Sequence, residues 1–289
     1  MGFDSPVTEL ITKRYSCRTY INVPIEKGLR DKLAAYAEAQ TAGQLGGEAR
    51  FALVVSTEDD LKALKGLGTY GFIRGATGFI VGATNDNARH LEDYGYLLEK
   101  IILYATDLGL GTCWLGGTFT KSSFARKIST RDGELVPAVS SVGYPAKTPR
   151  RLDKIIRRGA NADKRKPWER LFFDGRYGVP LTPPAAGKYG EALEMVRIGP
   201  SASNKQPWRI IKVGSEWRFY LERSPGYRKQ RLVKLTTNAD LQRIDMGIAM
   251  CHFELTAEQK GLSGIWKKQG PDMENQDHQL EYIATWVDD

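Results

Sequence analysis

DYGYLLEKIILYATDLGLGTCW occupies residues 93–114, and DMGIAMCHFELTAEQKGLSGIW occupies residues 245–266. A shift of 152 residues lays one over the other without a gap, and Asp, Gly, Leu, Ala, Gly, Leu and Trp coincide, seven of the 22 columns. Both stretches carry an apolar run of helical length, and both stop at a glycine, Gly109 or Gly261, of the kind that ends helices. The pattern reads as one unit written twice. In the first stretch Ile101, Ile102, Leu103 and Tyr104 are consecutive, which suits a helix buried between two copies better than one with a wet face.

The flanks repeat in the same order. In the first half the spacing of apolar residues predicts helices over 7–13 and 25–39, strands over 51–56 and 78–83, a long helix over 91–108, and strands over 112–117 and 136–144. A short lysine-bearing helix is expected near 58–65. In the second half a helix over 185–197 leads to strands over 209–213 and 217–222, and a last strand over 280–287. The fold class is therefore α+β: a helix-flanked antiparallel or mixed sheet formed twice, the copies packed as a dimer made from one chain. The boundaries expected are a first half over 1–160, a connector over 161–183 and a degenerate second half over 184–289.

The chain has 289 residues, 41% of them hydrophobic, enough for a sizeable core. Its three cysteines, Cys17, Cys113 and Cys251, have no paired spacing, so neither a disulfide framework nor a zinc cage is suggested. His90, His252 and His278 show no ligand spacing, and no metal is implied. The N-terminal residues lack a charged leader followed by an apolar core, and no apolar run is long enough to span a bilayer. The expectation is a cytoplasmic protein without a membrane partner. The net charge of +8 is concentrated in residues 146–170, which hold ten Lys or Arg against Asp153, Asp163 and Glu169. A nucleic-acid face needs wider support than one segment, so this one is read first as a solvated connector and next as holding a phosphate contact near its start.

Three stretches carry the chemistry: RYSCRTY at 14–20, GLGTCWLGG at 109–117 and GPSASNKQPWRIIKV at 199–213. In an extended segment alternate residues share a side, so Arg14, Ser16 and Arg18 face one way, and Tyr15 and Cys17 the other. Two guanidinium groups and a hydroxyl suit one dianionic ligand. Pro200, Ser201, Ala202 and Asn204 make a loop with small side chains and an exposed backbone, while Gln206 and Trp208 are expected to fix it to the following strand. GLGTYG at 66–71 satisfies a dinucleotide pattern but follows a lysine-rich stretch instead of a strand, so no Rossmann site is expected.

Taken together, these three motifs, in this order of helices and strands, resemble the nitroreductase family of flavin enzymes over roughly residues 6–270, and in particular its single-chain, internally duplicated subgroup. The resemblance implies FMN as cofactor, NAD(P)H as a transient electron donor, and a nitroaromatic, quinone or similar small-molecule acceptor. It implies that Arg14 and Ser16, with Tyr15 beside them, hold the phosphate or ribityl chain and that Arg18 reaches the N1 and O2 edge of the ring. The backbone of Leu115, Gly116 and Gly117 would face N5 and O4, and Lys147, Arg150 and Arg151 are the basic residues among which a phosphate contact is sought. Tyr70 and Gly71 would lie near the pyrimidine edge, and Pro200, Ser201, Ala202 and Asn204 would close over the cofactor from the other half. Each half keeps only one part of the set, which implies one FMN per chain and a monomer that suffices for activity. Rival readings are another flavin reaction on the same fold, such as reductive dehalogenation or flavin breakdown, and a flavin-binding or redox-sensing protein without turnover.

Overall fold

The computed structural model describes residues 2–60, 62–85, 89–148, 150–225, 239–270 and 280–288. The first half runs α1 (Val7–Lys13), α2 (Lys27–Glu38), β1 (Ala49–Val55), β2 (Gly78–Asn85), α3 (His90–Asp107), β3 (Gly111–Leu115), α4 (Lys121–Lys127), β4 (Glu134–Leu135), β5 (Val139–Gly143) and α5 (Arg151–Gly159). The second runs β6 (Phe172–Asp174), α6 (Pro183–Ala186), α7 (Gly190–Ile198), β7 (Trp208–Val213), β8 (Glu216–Glu222), α8 (Leu241–Gln259), β9 (Gly264–Lys267) and β10 (Leu280–Asp288).

The two sheets are written in the same order. The first is β1-β2-β5-β3, with β4 pairing β2, and the second is β6-β7-β8-β10-β9. Replacing β1, β2, β5 and β3 by β7, β8, β10 and β9 converts one path into the other. Every pairing is antiparallel except that of β6 with β7. The fold is thus α+β and internally duplicated, as the repeated stretch requires.

The repeat also sets the centre of the molecule. Helices α3 and α8 bury nearly every side chain, including Leu97, Leu98, Ile101 and Ile102 on one and Met246, Met250, Cys251 and Phe253 on the other. They cross at their matched glycines. A Cβ on Gly247 would collide with the carbonyl oxygen of Glu92, and one on Gly95 with that of Ile244. Glu92 and Ile244 are themselves related by the 152-residue shift, so the contact is self-complementary, as at the axis of a homodimer. One apolar cluster runs from Leu10 and Leu33 through both helices to Trp208, Phe219 and Trp286, so the halves share a core.

Three expectations need correction. Residues 161–183 are more than a connector: Leu171, Phe172 and Leu181 are buried, and β6 extends the second sheet beside β7. Chain leaving the first half therefore completes the sheet of the second. The stretch near 58–65 forms turns instead of a helix among its described residues. The basic segment read as solvated chain forms α5, capped by Asp153, whose carboxylate accepts from the Arg150 backbone N–H at 3.2 Å.

Candidate functional site

The N-terminal motif is drawn to the glycine motif by backbone pairing. Ser16 bridges Thr112 in parallel, and the Cys17 N–H donates to the Thr112 carbonyl at 2.8 Å. This lays residues 14–18 along β3 and beside its exit, Leu115–Gly117. The Ser-Asn loop reaches the same place from the second half, because the Ala202 N–H donates to the Asp245 carboxylate on α8 at 2.8 Å. The first half holds its corresponding loop in the same way: Asp93 accepts from the backbone of Leu45 at 2.8 Å and Gly47 at 2.6 Å. Asp93 and Asp245, matched in the repeat, are thus matched in use.

Between these elements lies a cavity of about 670 Å³, within the ~300–1,000 Å³ of small-molecule and cofactor sites. Arg14, Tyr15, Ser16, Arg18, Leu115, Gly116, Gly117, Pro200, Ser201, Ala202 and Asn204 all line it. Its remaining walls were not anticipated. Leu241, Ile244, Asp245 and Ile248 present one face of α8, and Ile156, Arg157, Asp163 and Arg165 come from α5 and the segment after it. Gly116 has little room for a side chain, since a Cβ there would lie 2.7 Å from both methyl carbons of Leu241.

The electrostatics favour an anion. Arg14, Arg18, Arg157 and Arg165 all line the cavity, and Asp163 is paired with Arg157. Burial holds the Asp245 carboxyl well above the usual carboxylate range, with the Ala202 N–H only partly offsetting it. Burial, and then the charges of Arg14 and Arg197, depress Arg165. The Arg14 side chain is buried, and its Nε and Nη1 have no hydrogen-bond partner among the described residues. Among the described residues its one ionic neighbour is Glu99, 3.6 Å away.

Glu99 is shared. It accepts from Trp114 Nε1 at 2.6 Å, and its other oxygen lies 3.0 Å from His252 Nε2, across the boundary between halves. His252 Nδ1 lies 3.0 Å from the Met195 carbonyl, so the ring is held at both nitrogens. Burial alone would raise Glu99, but His252, Arg14 and Trp114 together hold its carboxyl below the usual range. Glu99 is thus a carboxylate largely claimed by His252 and Trp114, which leaves the Arg14 guanidinium with N–H groups to spare.

Other expected site residues lie elsewhere. Arg150 donates to the carbonyls of Gly71 at 3.3 Å and Phe72 at 2.9 Å, and pairs with Asp153 at 2.9 Å, so it fastens α5 to the first half instead of lining the cavity. Lys147, Arg151, Tyr70 and Gly71 are exposed and outside the cavity wall. Asn204 lines the cavity, yet its amide donates to the carbonyls of Asn161 at 2.6 Å and Lys164 at 2.9 Å, tying the loop to the segment after α5. Gln206 does likewise, accepting from the Lys166 N–H at 2.7 Å, and Trp208 is fully buried. Ser203, Asn204 and Gln206 have φ of 50°, 54° and 48°, a run of left-handed backbone that these bonds hold in place. Cys17 faces away from the arginines, its thiol donating to the Thr19 carbonyl at 3.3 Å and pushed up by burial. His278 lies outside the described residues, and among those described no three His, Cys, Asp or Glu side chains are grouped to hold a metal ion.

A duplicated α+β chain whose two halves together line one cationic cavity defines a two-copy class of protein. The family described as "Putative TM nitroreductase" matches residues 6–257, and the chain belongs to it. A structure described as a putative nitroreductase from Thermotoga maritima MSB8 aligns with a TM-score of 0.60 and 20% identity, over 99% of this chain and 95% of that one. That likeness shows the fold. A nitroreductase family protein from Clostridium difficile 630 covers 52% of this chain and 88% of its own, at 22% identity and a TM-score of 0.39. An NADPH:FMN oxidoreductase from Vibrio harveyi covers 50% and 73%, at 18% identity and 0.37. No curated protein matches the chain.

Proposed function

We propose that the chain is an FMN-dependent oxidoreductase that passes electrons from NAD(P)H to a nitroaromatic, quinone or similar small acceptor. The observation that carries this reading is the buried side chain of Arg14, with two nitrogens that have no hydrogen-bond partner among the described residues, set among three other arginines in a cavity whose opposite walls are small-residue loops from the two halves. A terminal phosphate fits that donor set, and the nitroreductase family supports the rest.

Bound FMN would supply the hydride chemistry, so the protein needs no acid or base of its own for that step. Arg14, Arg157 and Arg165, with Ser16, would hold the phosphate and ribityl end. Arg18 would place positive charge beside the N1 and O2 edge and so favour the reduced, anionic ring. The backbone N–H groups after Leu115 would orient the ring, which is why small residues belong at 116 and 117. Pro200–Ala202 would cover the ring from the second half and exclude water, held there by Asp245 and by Asn204 and Gln206.

Chromatography of cofactor released from the purified protein is expected to give FMN; FAD, or no flavin after reconstitution, would overturn the reading. NAD(P)H oxidation by the FMN-loaded chain with an added quinone then tests turnover. Its absence would reduce the protein to a flavin-binding one.

A further inference from the structure

Helix α5 has an outer face that the cavity does not use. Its inner face is fixed: Asp153 is buried and accepts from the Thr19 hydroxyl, while Ile156 and Arg157 line the cavity. At 100° per residue the opposite side carries Arg151, Ile155 and Arg158, with Leu152 and Lys154 at its edges. Leu152 is 45% exposed and Ile155 64%. They lie one turn apart on the same side, so they form a continuous apolar strip instead of scattered residues. Arg151, Lys154 and Arg158 are exposed and form no ion pair among the described residues. Reading residues 146–170 as a solvated connector explains the charges but not two large aliphatic side chains left in water among them.

We propose that the outer face of α5 docks the protein on an anionic lipid surface, with Leu152 and Ile155 entering the headgroup boundary and Arg151, Lys154 and Arg158 meeting lipid phosphates. The charge selects the occupant. An apolar strip bordered on its helix by unpaired cations is the pattern of a helix that lies in a membrane interface. No helix of the described residues is long and apolar enough to cross a membrane, so the contact is peripheral. Since one helix presents one face to the cavity and the other to lipid, docking brings the bilayer within a helix diameter, ~10 Å, of the cavity wall. The proposal is independent of the redox reading.

The test is flotation of the full-length protein with vesicles of phosphatidylcholine alone and with one part in three phosphatidylglycerol. A basic protein adheres weakly to any anionic surface, so the variants decide. Leu152→Ser/Ile155→Ser keeps every charge, and Arg151→Gln/Lys154→Gln/Arg158→Gln keeps the apolar strip; all five sites are exposed, and circular dichroism checks the fold. The wild type is expected to partition at least 10-fold more onto the anionic vesicles, and each variant to lose at least 5-fold of that partitioning. Equal binding to both vesicles would overturn the proposal. So would anionic binding unchanged by Leu152→Ser/Ile155→Ser, which would be unspecific adhesion. Concentration-dependent dimerisation abolished by the same double substitution would assign the face to a second copy and equally overturn it.

Discussion

Arg18 acts through its charge and Gly247 through its lack of a side chain. Arg18 lines the cavity with its Nη1 donating to the Ser16 carbonyl at 3.2 Å, a tether that fixes where its charge sits. In FMN-loaded protein, Arg18→Ala is expected to lower the flavin midpoint potential by roughly 30 mV or more, about 1.4 kcal/mol for a two-electron couple. Spectroelectrochemistry measures it, and an unchanged potential would place Arg18 away from the ring. Gly247 is constrained by packing. Alanine in place of glycine inside a helix ordinarily gains up to about 1 kcal/mol. Here the added methyl would meet the Glu92 carbonyl on the crossing helix, so Gly247→Ala is expected to cost about 2 kcal/mol or more in urea denaturation. A variant as stable as the parent would mean that the helices do not cross at this glycine.

At the scale of elements, β4 is a two-residue strand that pairs with β2 and is tied to β1 by one ion pair. Arg50 on β1 donates to both oxygens of Glu134, at 2.8 and 2.7 Å, and to the Ile128 carbonyl at 3.1 Å. The Arg50 hydrogen bond lowers the Glu134 carboxyl to about 2. Because the folded value lies below that of the unfolded chain, the stabilisation is fully present above about pH 4.5 and is lost as pH falls toward 2. Glu134→Gln is therefore expected to cost about 1–2 kcal/mol at pH 7, with the difference from wild type closing steadily below pH 4.5. Denaturation midpoints across that range check it; a gap independent of pH would assign the loss to packing.

The elements also show what a sequence carries. Helices α3 and α8 were legible because a run apolar on every side has no soluble alternative, and their matched glycines and aspartates revealed the duplication. The cavity residues within the three motifs were legible because their order and small side chains are local properties. Arg157 and Arg165 were not: a count of charges between 146 and 170 says nothing of which guanidinium turns inward, and that is decided by Asp153 anchoring α5 and by Arg165 donating to the Ile198 carbonyl at 3.1 and 3.0 Å. The α8 wall was missed for the same reason. Leu241, Ile244 and Ile248 are apolar like the rest of the buried helix, and nothing local in the sequence marks them as cavity wall. Strand β6 is three residues long, too short for a pattern of its own, and exists because β7 offers it an edge.

At the scale of the molecule, duplication has left unequal sites. The loop exit after β3, Leu115, Gly116 and Gly117, corresponds by the 152-residue shift to Lys267, Lys268 and Gln269. On that side the Lys268 ammonium lies against the first half's loop, 2.7 Å from where a Cβ of Gly46 would be, and no Arg-x-Ser-x-Arg motif stands in the second half to face it. The two halves share a core, and chain leaving the first completes the sheet of the second; on the proposed function the chain would do alone what two identical subunits do, with one complementary pairing of loops instead of two. The direct test of this claim is the stoichiometry of FMN in fully reconstituted, monomeric protein, from flavin absorbance against amino-acid analysis. One FMN per chain is expected; a ratio near two, or a monomer that binds none, would contradict it.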